Sequence, residues 1–122
     1  MDLNRVTLIG NLTGDPELKK LPAGQSVVRF ALATSYRWDD AATKAQRESV
    51  EFHDVMAFGK LADIIGVYVK RGSKVYVEGR LRTRTTTGKD GKGRKSTEVV
   101  ADNLIMLGHR GRRQTPLKTE AA

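Results

Sequence analysis

Trp38, Phe52 and Phe58 are the side chains whose type and spacing point to chemistry. A flat ring on a strand offers a stacking platform to another flat π system, and the bases of a single-stranded nucleic acid are such partners. Each stacked base contributes about 1–3 kcal/mol, so two or three platforms matter. Core packing is the competing reading for Phe52 and Phe58, because an aromatic on a strand is more often part of a core. Trp38 borders a polar segment and is not deeply buried. Arg80, Arg82 and Arg84 recur at every second position and share one strand face. They lead into T-G-K-D-G-K-G-R-K, where Lys89, Lys92, Arg94 and Lys95 outweigh Asp90. A solvated face would explain them singly. Their common register and the cationic loop favour a track for phosphates.

No comparable set supports catalysis. The histidines are His53 and His109. His53 and Asp54 are neighbours on a strand, so they point to opposite faces and form no dyad. H-E-x-x-H, G-x-S-x-G and P-loop patterns do not occur. Gly88, Gly91 and Gly93 lack the strand-then-helix setting of a phosphate-cradling loop. Cysteine is absent, which excludes disulfides and thiolate metal sites. The expectation is a chain that is not an enzyme, with no cofactor and no metal.

The elements that position these residues follow from periodicity. Val50 to Phe58 alternates as a strand, with Phe52 and Phe58 on one face and His53, Val55 and Ala57 on the other. Gly59 breaks the pattern. Leu61, Ile64, Ile65, Tyr68 and Val69 then mark one face of a short helix, with Lys70, Arg71 and Gly72 suited to its C-terminal end. Asn4 to Leu12 and Val27 to Trp38 read as the first two strands, the second placing Val28, Phe30 and Leu32 on one face. Lys19 to Gly24 reads as a basic turn and Asp39 to Ser49 as a mobile loop. Ser73 to Thr86 is the fourth strand, with Val75, Val77, Gly79 and Leu81 inward. Ser96 to Leu107 is the fifth, with Val99, Ala101, Ile105 and Leu107 on one face. One helix inserted between the third and fourth strands of an all-β chain predicts a five-stranded OB-fold Greek-key barrel.

The chain has 122 residues, enough for one domain with one core. Lys and Arg number 22 against 14 Asp and Glu, a net charge of +8. That excess argues for a polyanionic partner. An anionic membrane is disfavoured, because the helix carries its charges mainly at its ends. The N-terminus has an acidic second residue and no long apolar core, so no signal peptide is expected. No apolar run approaches a membrane span, and a cytoplasmic setting follows by default.

From about Asn4 to Leu107 the chain resembles the bacterial single-stranded DNA-binding protein family. The matching segments are N-R-V-T-L-I-G-N-L-T-G-D-P-E-L, F-A-L-A-T-S-Y-R-W, E-F-H-D-V-M-A-F-G-K-L-A, Y-V-K-R-G-S-K-V-Y-V-E-G-R-L-R-T-R and T-E-V-V-A. Their joint order and spacing carry the resemblance. It implies an OB-fold homotetramer, cytoplasmic and nucleoid-associated, that wraps single-stranded DNA without sequence preference in replication, recombination and repair. Trp38, Phe52 and Phe58 match the family's stacking aromatics. Lys60, Lys70, Arg71, Arg82 and Arg84 match or fall beside its backbone-contacting cations, and Arg5, Lys19, Arg47, Lys89, Lys92 and Arg94 extend that set. His53, with Tyr76, is expected at a subunit interface.

Two departures stand out. The family commonly has a further stacking Trp where this chain has Thr86. It also usually ends in an acidic, Phe-terminated tip that recruits replication and repair proteins, whereas here a basic stretch precedes T-E-A-A. The expected organisation is therefore a DNA-binding domain over 1–108 and a basic disordered segment over 109–122, without recruitment by the usual tail. A primosome-type adaptor on the same fold is the alternative function, and Trp38, Phe52 and Phe58 together argue against it. A nuclease with an appended OB domain is a second, opposed by the lack of a clustered carboxylate set.

Overall fold

The computed structural model describes residues 1–108, so expectations for His109 to Ala122 lie outside the described residues. Strand β1 (Val6–Leu12) is followed by β2 (Glu17–Lys20), β3 (Ser26–Asp39), β4 (Gln46–Phe58), helix α1 (Gly59–Tyr68), β5 (Lys74–Thr87) and β6 (Gly93–Gly108). The sheet order is β1-β5-β6-β4-β3-β2, and β1 also pairs with β3. That last pairing closes β1, β5, β6, β4 and β3 into a five-stranded barrel and leaves β2 outside it. The closure depends on glycine. A methyl on Gly10 would lie 2.3 Å from the Ala33 carbonyl oxygen, so β1 passes β3 closely only because it has no side chain there.

Leu12, Val28, Phe30, Leu32, Val55, Ala57, Val75, Val77, Val99, Ala101 and Leu104 fill the barrel. Helix α1 packs Ala62 and Ile65 against this core, with Val69 just beyond its last turn. Its buried face is therefore rotated from the expected one, and Tyr68 is exposed. Val69 is the C-cap, so Gly72, at φ 85°, serves the turn into β5 rather than the helix end.

Four other expectations need correction. Lys19 and Lys20 lie on β2, a short edge strand on β3, and the turn is confined to Leu21–Gln25. The polar stretch after Trp38 is no long loop. It continues the β3–β4 hairpin to Asp39↔Gln46, because a two-stranded ribbon clear of the core needs no apolar face. Its tip is tied by Asp40, whose carboxylate accepts from the Ala42 N–H at 2.9 Å and Arg47 Nε at 2.8 Å. Those contacts hold Asp40 below the usual carboxylate range. Leu81 is 46% exposed, because β5 leaves the core after Gly79.

Finally, Leu104 and Met106 face the core instead of Ile105 and Leu107. The cause is a bulge: Glu78 pairs with Asn103 but Gly79 with Ala101, so Asp102 is extra and the alternation flips. A methyl on Gly79 would lie 2.1 Å from the Val100 carbonyl oxygen, so only glycine fits at this crossing.

Candidate nucleic-acid interface

Strand pairing decides which candidates share a face. In an antiparallel pair, residues opposite each other point the same way. Phe52 lies opposite Ala33, Met56 opposite Arg29 and Phe58 opposite Val27. Met56 is level with Val100 on β6, and β6 in turn sets Val100, Glu98 and Ser96 opposite Arg80, Arg82 and Arg84. Four strands thus build one outer face that carries Phe52, Phe58, Arg80, Arg82 and Arg84. Val55 and Ala57, of the opposite parity, enter the core.

The two phenylalanines differ in setting. Phe52 is 69% exposed, which removes the core-packing reading for it. Phe58 is half-buried against a small outer cluster of Val27, Met56 and Val100. A groove of about 350 Å³ lies between the Thr13–Glu17 connection and the strand face at Arg29, Ala31, Asp54, Arg84, Ser96 and Glu98.

Trp38 is placed differently. The β3–β4 register is unbroken from Val27↔Phe58 to Asp39↔Gln46, so no bulge brings Trp38 to the Phe52 face. By alternation it emerges on the opposite side of the ribbon, 38% exposed. There it stacks on Tyr36, with ring centroids 5.8 Å apart and planes at 26°. Tyr36 is 68% exposed. Sequence reasoning left it out, although its position two residues before Trp38 was signal enough.

The cations fall into two groups. Lys19, Lys60, Lys70, Arg71, Arg80, Arg84, Lys89 and Lys92 are exposed, and their side chains make no ion pair among the described residues. Arg5 pairs with Glu78 at 2.9 Å and Asp102 at 3.8 Å, Arg47 with Asp40 at 2.8 Å, and Arg94 with Asp90 at 3.9 Å. Pairs this exposed are worth roughly 0–1 kcal/mol, and a phosphate can compete for them.

Arg82 stands apart. Its Nε and Nη2 donate to Glu98 Oε1 at 3.1 and 2.6 Å, and Arg29 Nη1 donates to Glu98 Oε2 at 2.9 Å. The Glu98 side chain is 4% exposed. Burial pushes its carboxyl up, but the hydrogen bonds and charges of Arg82 and Arg29 outweigh this and hold it below the ordinary value. Neither Arg29 nor Glu98 was foreseen.

His53 Nε2 lies 2.8 Å from Thr34 Oγ1, on the core side of the hairpin. Tyr76 donates its hydroxyl to Glu78 at 2.8 Å, and that bond, with burial and the carboxylate's charge, holds the phenol above its ordinary value. Tyr76 lies opposite Ile9, an exposed apolar residue of β1.

The family model of single-strand binding proteins matches residues 3–107. The chain belongs to the single-strand binding protein family. The fold agrees: a solved Plasmodium falciparum SSB in complex with ssDNA is 30% identical, with a TM-score of 0.82 over 88% of this chain and 97% of that one. The face built here from β3, β4, β5 and β6 therefore belongs to a family fold of which one solved member was captured with ssDNA.

Proposed function

We propose that this family member binds single-stranded DNA without sequence preference and protects it during replication, recombination and repair. The observation that carries the reading is Phe52, a 69% exposed ring on a face shared with Phe58 and with Arg84, which makes no ion pair among the described residues. Exposed rings stack on any base, and cations beside them hold the backbone, so sequence contributes little. Binding, not catalysis, is the role. The setting is cytoplasmic.

Trp38 is the only tryptophan, so its emission reports on the hairpin alone. Oligo-dT is expected to quench it as bases stack on the Tyr36–Trp38 pair. Emission unchanged at saturating oligo-dT would remove the hairpin from the binding path and leave Phe52 and Phe58 as the platforms.

The same proposal includes a homotetramer. What supports it is the Val6–Gly10 edge of β1, which pairs with no strand on one side among the described residues, and exposed Ile9 beside Tyr76. An open edge with an apolar neighbour invites a second copy. Light scattering is expected to give the mass of four chains, and a single-chain mass would contradict the assembly.

A further inference from the structure

Arg82 reads in sequence as one more phosphate contact, yet its guanidinium is already occupied. It donates twice to Glu98, and its Nη2 also donates to Met56 Sδ at 2.9 Å. Its Cζ lies 5.8 Å from the centroid of the Phe58 ring, within cation–π range. Only a planar fork reaches carboxylate, sulfur and ring together; a lysine ammonium does not.

Leaving Glu98 for a phosphate would be a poor exchange. Arg82 would trade one ion pair for another, and a carboxylate 4% exposed would keep Arg29 as its only cation among the described residues. Removing one partner of a buried pair is strongly unfavourable. The exposed pairs of Arg5, Arg47 and Arg94 carry no such penalty.

We propose that Arg82 and Glu98 are positioning residues for the Phe58 platform, not part of the phosphate track. Glu98 orients the guanidinium, the guanidinium holds the ring from one face, and the base stacks on the face that Arg82 leaves open. This rests on the single-strand reading of the same face. It also explains why a carboxylate sits in the middle of a cationic surface: it fixes a ring in place.

The two roles of Arg82 give opposite signs for Glu98→Gln. If Glu98 merely masks a phosphate-binding arginine, neutralising it frees Arg82, strengthens oligo-dT binding and steepens the log–log salt slope by about 0.7. If Glu98 positions Phe58, the variant binds about three- to tenfold more weakly at an unchanged slope. The measurement is oligo-dT affinity over a range of salt for the full chain, Glu98→Gln, Arg82→Lys, Phe58→Ala and Phe58→Ala with Glu98→Gln.

The expected result is a loss in Glu98→Gln that vanishes in the Phe58→Ala background, since coupled residues are not additive. Arg82→Lys, which keeps the charge but not the fork, is expected to show the same loss, and it stands in should Glu98→Gln fold poorly. Tighter binding by Glu98→Gln, an equal loss in both backgrounds, or wild-type affinity in Arg82→Lys overturns the proposal while leaving the face intact. Wild-type affinity in Phe58→Ala overturns the reading of the face, and this proposal with it.

Discussion

Replacing Phe52 and Phe58 together with alanine is expected to lower oligo-dT affinity by about 2–6 kcal/mol, from some thirtyfold to about twenty-thousandfold. Each ring contributes about 1–3 kcal/mol by stacking. The two positions are six residues apart on one strand, about 20 Å. Substitutions that distant add, because no partner is shared. Phe52 carries little of the fold, being exposed, so its replacement is expected to leave the urea midpoint in place. Phe58 supports the Val27–Met56–Val100 cluster, so part of its effect falls on stability. Fluorescence anisotropy with labelled oligo-dT, at a temperature where circular dichroism shows both proteins folded, separates the two. A loss of less than twofold in the double variant would mean that the outer face is not where bases stack.

The second large effect is electrostatic. Arg84 lies on the outer face and Lys89, Lys92 and Lys95 in the β5–β6 hairpin, none of them in an ion pair among the described residues. Each phosphate contact contributes about 0.7 to the log–log salt slope of single-strand binding. Alanine at all four positions is therefore expected to flatten the slope by about 3 if every one touches a phosphate. The weakening should be greatest at low salt, where screening is least. Titrations from low to moderate salt check this. A slope equal to that of the unaltered chain would make these four a solvated face.

Much of the barrel was legible because its strands alternate and its helix does not. Val28, Phe30 and Leu32 at every second position announce a core face, and Gly59 announces the change of period. What escaped was whatever depends on pairing between strands. The bulge at Asp102 reverses the face of Leu104, yet nothing within Ser96–Leu107 reveals it; the kink shows only in the pairing with β5, where Glu78 faces Asn103 and Gly79 faces Ala101. The Asp39–Ser49 segment looked like a loop for lack of apolar residues, a poor guide for a ribbon that stands clear of the core.

The site divided in the same way. Phe52 and Phe58 share a face by their own spacing, so local alternation sufficed. Trp38 was grouped with them as a stacking aromatic on a neighbouring strand, and thirteen paired positions without a bulge put it on the other side of the ribbon. Glu98 was recoverable in principle. Counting outward from Asp90 at the hairpin tip sets it opposite Arg82, and a carboxylate facing an arginine across a hairpin signals an ion pair.

The central claim is that exposed rings, not charge alone, bind the strand. Competition between oligo-dT and a duplex of equal length, at one fixed salt concentration, tests it most directly. In a duplex the bases are stacked on one another and closed to Phe52 and Phe58, while the phosphates remain available. The account predicts that oligo-dT displaces labelled single strand at far lower concentration than duplex does, and that this preference shrinks in the Phe52→Ala, Phe58→Ala variant. Equal competition by single strand and duplex would contradict it, leaving a basic protein held to DNA by charge.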